Sequence, residues 1–113
     1  MALLKGTLDA LVLKALTGGP RHGFEITRWI EDGSAGEIRI ESAALLQSLQ
    51  RLEERGHVTA DWGITENNRR ARYYTITAAG RTQLRQETAS LATSVAALAG
   101  LLGFPAPNGG GRR

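Results

Sequence analysis

The chain changes its hydrophobic period from that of a helix to that of a strand at Gly56, and that change limits what it can fold into. In the preceding segment, ESAALLQSLQRLEERG, Leu45, Leu49 and Leu52 recur at i, i+4 and i+7 while Gln47, Gln50, Arg51 and Glu54 point elsewhere, as on an amphipathic helix. Gly56 suits the position just past a helix end, where the backbone commonly takes a positive φ. Beyond it the period falls to two. Val58, Ala60, Trp62 and Ile64 alternate with Thr59, Asp61, Gly63 and Thr65, which predicts a half-buried strand. A polar turn at Asn67 and Asn68 reverses the chain, and a second alternating run carries Arg70, Arg72, Tyr74 and Ile76.

Upstream, residues 3–17 place Leu4, Leu8, Leu11 and Ala15 on one stripe, with Val12 and Leu16 beside it and Lys5, Asp9 and Lys14 opposite. This predicts a first core helix, interrupted near its start by Gly6; if Thr7 is the N-cap, the residues before it form an arm, and the sequence leaves both open. Gly18, Gly19 and Pro20 end the helix. A second helix is expected over His22 to Asp32, burying Phe24 or Ile26 together with Trp29 and Ile30. Residues 33–36 read as a loop, 37–40 as a short strand edging the hairpin, and Ser42 or the residue before it as the cap of the third helix. After the hairpin, Thr77 has the character of an N-cap for a long last helix, in which Leu84, Leu91, Val95, Leu98 and Leu102 form a heptad-like seam. The seam packs on its own domain, on a second chain, or on one at each end. From Pro105 the composition, PAPNGGGRR, predicts disorder. The fold class expected is mainly α with a small β-hairpin (α+β): a winged helix-turn-helix over residues 1–76, a C-terminal dimerisation helix over 77–103, and a disordered tail over 104–113.

At 113 residues the chain has room for one core and no separate catalytic domain. It contains no cysteine, so disulfide frameworks and thiolate metal sites are excluded together. No run approaches the roughly eighteen apolar residues of a membrane span, and the N-terminus lacks the form of a signal peptide, so a cytoplasmic protein is expected. The formal net charge is +3, of which Arg112 and Arg113 supply two, so the overall balance says little. Its distribution says more: between Asn67 and Gln86 lie Arg69, Arg70, Arg72, Arg81 and Arg85 and no acidic residue. Ser42, Ser48, Ser90 and Ser94 lack a Gly-x-Ser-x-Gly context, and no paired carboxylates or Gly-rich phosphate loop appear. His22, after a proline break, and His57, at a helix end, sit in no metal spacing and suit local capping. Neither enzymatic activity nor a cofactor or metal is expected.

Four segments, LLKGTLDALVLKAL, GPRHGFEI, LQRLEERGHV and WGITENNRRARYYTITAAG, together resemble the PadR family of bacterial transcriptional regulators over about residues 3–85. The last helix is similar to the single C-terminal helix that supports dimer formation in the compact members of that family. The resemblance implies a homodimer binding double-stranded DNA as a repressor. One departure stands out: where relatives carry a segment such as Gly-Ser-Leu-Tyr-Pro at the start of the third helix, this chain has Ala43, Ala44, Leu45, Leu46 and Gln47, with Leu46 and Gln47 in place of the Tyr-Pro pair. Leu46 cannot hydrogen-bond a phosphate; it either faces outward, where it can touch a thymine methyl, or turns into the core.

DNA binding needs cations for phosphates and amide or guanidinium forks for base edges. Ser42, Ala43, Leu46, Gln47, Gln50 and Arg51 on the third helix, with Asn68, Arg69, Arg70 and Arg72 on the hairpin, form the expected DNA surface. Arg51 has an alternative partner in Glu53 or Glu54. Leu84, Leu91, Val95, Leu98 and Leu102 are the expected dimer contacts. Trp29 and Trp62 are candidates for an aromatic effector pocket of the kind the resemblance implies, with core packing as the alternative. Two other functions remain open from sequence: a winged-helix protein-interaction module, and a small-ligand-binding dimer with little DNA affinity.

Overall fold

The computed structural model describes residues 6–106. The elements are α1 (Thr7–Ala15), which runs into a 3₁₀ turn over Leu16–Gly18, then β1 (Arg21–His22), α2 (Gly23–Gly33), α3 (Ser42–Glu54), β2 (Val58–Ile64), β3 (Arg70–Ile76) and α4 (Ala78–Leu102). The three strands form one antiparallel sheet in the order β1-β3-β2. α1 lies at the centre, packed against α2, α3 and α4.

The core is built from one face of each helix and the base of the hairpin: Val12, Leu13, Leu16, Ile26, Ile30, Leu45, Leu49, Leu52, Val58, Tyr74 and Ile76 are buried together. The expected stripe of α1 is met by Ala15, Val12 and Leu16, with Leu8 and Leu11 partly buried against the core; Leu4 and Lys5 lie outside the described residues. Asp9 departs from its expected place opposite the stripe, because α3 packs on that side and Asp9 faces it. The helix takes Thr7 as its first residue, with Gly6 ahead of it at φ 87°, so Thr7 is not the N-cap. On α2, Ile26 is fully buried and Phe24 is 65% exposed, which decides between the two. His22 caps α2 reciprocally: its Nδ1 accepts the Glu25 amide while its own amide donates to Glu25 Oε1.

The short edge strand is displaced from its expected position. Residues 37–40 carry no strand; the Ile38 amide is taken by Ser34 Oγ at 2.9 Å, within a turn that passes through Ala35 and Gly36 at positive φ. β1 supplies the third strand instead, pairing Arg21 with Tyr74 and His22 with Tyr73. At the start of α3 the N-cap position falls on Glu41, and no side chain caps it.

The period change at Gly56 is built as two interlocked chain ends. Gly56, at φ 76°, donates its amide to Glu53 O, and His57 donates to Leu52 O at 2.8 Å, the paired bonds of a Schellman end. Thr77 caps α4 as expected, its Oγ1 accepting the Gly80 amide at 3.0 Å while donating to Gly56 O at 2.7 Å. The first turn of α4 therefore lies directly on the end of α3, and a Cβ at Gly80 would run into the His57 carbonyl. Leu84 of α4 joins the same core as the preceding helices. Further along α4, Leu91, Val95 and Leu98 are half-buried, and Leu101 and Leu102 are exposed at 83% and 72%. Residues 104–106 follow without regular structure; the rest of the expected disordered tail, 107–113, lies outside the described residues.

Gly80→Ala should lower unfolding stability by about 2 to 3 kcal/mol in urea titration, because backbone rather than a flexible side chain blocks the new methyl. Gly33→Ala, at a helical position with open space around it, should be neutral or gain up to about 0.5 kcal/mol. Equal stabilities for the two variants would contradict the close approach of α4 to His57.

Candidate nucleic-acid interface

α3 divides its residues between two faces. Leu45, Ser48, Leu49 and Leu52 are buried, while Ser42, Ala43, Leu46, Gln47 and Gln50 are exposed in sequence along the other side. Leu46 is 63% exposed, which places it outward rather than in the core. Over these two turns the outer face carries hydroxyl, amide and apolar groups and no charge.

A polar bridge fixes the rotation of that helix. Ser48 is fully buried, and its Oγ donates to Asp9 Oδ1 of α1. Arg51, one turn on, grips the same carboxylate with two donors, Nη2 to Oδ1 at 2.7 Å and Nε to Oδ2 at 3.3 Å. The Asp9 side chain is 13% exposed in this arrangement. The bond to Asp9 raises the Arg51 pKa above its ordinary value, partial desolvation opposes this, and the charge of Asp9 adds to it. A raised folded-state value contributes stability that is complete below the ordinary arginine pKa and lost only at higher pH, so Arg51 is charged throughout the working range. The expected alternative for Arg51 is thus met in kind but not in partner: the acid comes from α1, not from Glu53 or Glu54.

Glu53 is engaged elsewhere. Its Oε2 lies 3.1 Å from Arg72 Nη2 of β3, tying the outer half of the hairpin to α3. Arg72 is directly across the ladder from Trp62, and Ile64 is across from Arg70. Trp62 is 61% exposed and carries the Arg70 guanidinium over its ring at 4.5 Å, with Arg72 at 5.9 Å. Arg72 is also 5.9 Å from the buried Tyr74 ring, so arginine and aromatic groups alternate along one face of the wing. The expected alternation of burial in β2 holds only for Val58 to Asp61; beyond it the hairpin runs on past the domain, so Trp62 and Ile64 are exposed and Gly63 between them is the more covered.

At the tip, Asn68 adopts φ 61°, a left-handed conformation that asparagine tolerates. The turn is closed by the Thr65 amide to Arg69 O at 2.8 Å and the Asn68 amide to Thr65 O at 2.9 Å. Arg69 and Arg70 project from this end, exposed and with no ion pair among the described residues.

The structure thus brings Ser42, Ala43, Leu46, Gln47 and Gln50 onto one helix face and Asn68, Arg69 and Arg70 onto one hairpin tip, while Arg51 and Arg72 are held by acids behind them. Asp9 and Ser48 were not anticipated as site residues, and Glu53 was expected beside Arg51 and not Arg72. An acid inside an apolar helix pattern was the available signal for Asp9; Ser48 had none, and local spacing pointed Glu53 to the wrong arginine. The two tryptophans are not brought together within the chain: Trp29 lines a groove of about 580 Å³ with Arg21, Phe24, Glu25, Arg28, Asp32 and Gly33, and Trp62 lies on the wing. Among the described residues no cluster of three or more His, Asp or Glu side chains is placed to hold a metal, and no helix is long and apolar enough to cross a membrane.

Residues 12–86 match the transcriptional regulator PadR-like family. The chain belongs to that family. An uncharacterized protein of Lysinibacillus sphaericus is 29% identical over 84 residues, 74% of this chain and 77% of that one. Among solved structures, a transcriptional regulator from Clostridium thermocellum superposes with a TM-score of 0.78 at 24% identity, covering 87% of this chain and 95% of that one. Bacillus subtilis PadR, determined in complex with operator DNA, superposes with a TM-score of 0.63 at 21% identity, covering 71% of this chain and 45% of that one. At these identities the structural likeness shows that the PadR-like chain shares the winged-helix fold.

Asp9→Ala should destabilise the PadR-like chain by about 1 to 3 kcal/mol, since it leaves the buried Ser48 hydroxyl without an acceptor. Asp9→Asn keeps an acceptor and removes only the charge, so it should cost less. Denaturant midpoints in the opposite order would refute the bridge as the element that orients α3.

Proposed function

We propose that this PadR-like chain is a sequence-specific DNA-binding regulator that acts as a homodimeric repressor in the cytoplasm. Each protomer sets the exposed face of α3 in a major groove and lays the Arg69–Arg70 wing along the backbone or into the adjacent minor groove. The observation that carries this is the pairing of a charge-free, amide-bearing helix face with a hairpin tip whose two arginines form no ion pair among the described residues and outnumber the one acid there, Glu66. The first suits base edges and the second suits phosphates. The operator complex of Bacillus subtilis PadR supports the same use of the fold.

Dimerisation is supported by α4. Its first turns pack within the chain through Leu84, but Leu102 is largely exposed and Leu91, Val95 and Leu98 are only half-covered. A second copy covers this seam, and two-fold symmetry then presents two α3 helices to half-sites about one helical turn apart on a pseudo-palindrome. A dimer bound over a promoter blocks access to it, and repression is proposed in that sense. No catalytic step enters this function. If an aromatic effector binds, the groove beside Trp29 is open to it, and Trp62 contributes only through the wing.

Binding should fall steeply with salt, the slope of log K against log [salt] being about −0.9 per phosphate neutralised. The double variant Arg69→Ala/Arg70→Ala removes four cations from a dimer and should flatten that slope by roughly three to four, weakening all duplexes alike. Gln47→Ala should instead change which duplexes are preferred. Fluorescence anisotropy with labelled duplexes at 50 and 200 mM salt measures both; an unchanged slope in the double variant would reject the wing contact, and salt-indifferent behaviour of the native protein would favour a protein-binding module.

Leu91→Glu/Leu98→Glu should convert the dimer to monomers in sedimentation velocity. An intact dimer would reject the α4 seam.

A further inference from the structure

We propose that Leu46 is a specificity-determining residue that reads the C5-methyl group of thymine in each half-site. This rests on the DNA-binding function proposed above and names what one position of α3 recognises there.

The core face of α3 is complete without Leu46: Leu45, Ser48, Leu49 and Leu52 fill it, and all four are buried. Leu46 instead stands 63% exposed between Ser42 and Ala43 on one side and Gln47 and Gln50 on the other, all of them exposed. The Asp9 bridge to Ser48 and Arg51 fixes the rotation of the helix, so Leu46 cannot roll inward without breaking two polar contacts. Isolated exposed leucines are ordinary on protein surfaces. This one is distinguished by company: it lies in a two-turn stripe without charge, whereas the solvent side of α2 carries Glu25, Arg28, Glu31 and Asp32.

A large apolar side chain hydrated in the free protein gains free energy only where its partner offers apolar surface. On the major-groove edges of unmodified DNA that surface is the thymine methyl. Ala43, three residues before Leu46, is on the same side of the helix, so the two present an apolar ridge about one turn long. Gln47 and Gln50 beside the ridge have amide groups suited to the N6 and N7 edge of adenine. Together these residues specify a half-site in which the methyl read by Leu46 lies within an A·T-containing step.

Duplexes would be selected by the purified full chain from a randomised pool, and each thymine of the selected half-site then replaced singly by deoxyuridine, which removes the methyl and preserves base pairing. At one or two thymines per half-site the substitution should weaken binding about fourfold, and about fifteenfold when made in both half-sites, as expected for loss of one buried methyl each. Leu46→Ala should bind the thymine duplex more weakly and become indifferent to deoxyuridine at those positions, while Leu46→Met should keep the sensitivity. Gln47→Ala should keep it as well. Sequence-specific binding with no response to deoxyuridine at any thymine would overturn the Leu46 assignment and leave the DNA-binding function standing. A deoxyuridine response that persists in Leu46→Ala would also overturn it. Failure to select any duplex would overturn the DNA-binding function and the assignment with it.

Discussion

The junction between the end of α3 and the start of α4 decides the geometry of the whole protein. Gly56 ends α3, His57 leads into the hairpin, and Thr77 closes the hairpin onto both, its amide bonded to His57 O and its hydroxyl to Gly56 O. Gly80 allows α4 to approach that carbonyl closely enough for these bonds to form. Four elements are fixed at one place by backbone groups that would otherwise be unpaired helix and strand ends. The hairpin leaves α3 in one direction as a result, and α4 leaves in another, packing along α1.

Electrostatics then sorts the arginines. Arg51 and Arg72 have carboxylates within 3.1 Å, supplied by Asp9 and Glu53, and their role is to hold α1 to α3 and α3 to the wing. Exposed ion pairs are worth little individually. Here each has a second function in orientation: Asp9 also satisfies the buried Ser48, and Arg72 is flanked by the Trp62 and Tyr74 rings. The cations at the tip have no such partner. A modest net charge is therefore compatible with a local positive excess on the wing, because pairing neutralises Arg51 and Arg72 behind the surface while Arg69 and Arg70 outnumber Glu66 at the tip.

Much of this was legible in the sequence because it depends on local order. The periodicity of Leu45, Leu49 and Leu52, the stop at Gly56, the cap at Thr77 and the turn at Asn67 and Asn68 each involve residues within a few positions of one another, and each is found as expected. What was not legible is non-local. Ser48 and Arg51 meet Asp9 across about forty positions, and nothing in the spacing of an acid on a helix announces which side another helix will cover. The edge strand was sought at 37–40 because that segment precedes α3, whereas Tyr73 and Tyr74 pair with Arg21 and His22, more than fifty residues earlier. Trp62 keeps the strand face that the alternation gives it but not the expected burial, because alternation tells which face a residue is on and not how far the core extends beneath that face.

The exposure of Trp62 gains a physical sense from this arrangement. A two-stranded hairpin projecting from a small domain is marginal by itself, and its free arginines would sample many rotamers. Stacking Arg70 on the Trp62 ring restricts the guanidinium before any partner arrives, and anchoring Arg72 to Glu53 fixes the strand that carries it. Ordering that is already present in the free protein need not be supplied on association, which raises affinity without adding a contact. The apolar surface left exposed on the wing is the cost of that preorganisation. The exposed face of α3 is treated in the same way: Asp9 holds the helix from behind so that Leu46, Gln47 and Gln50 are presented at a fixed angle. Both halves of the candidate interface are set by groups that do not lie on it, which is why the residues on the interface can be uncharged on the helix and unpaired on the wing while the fold stays intact.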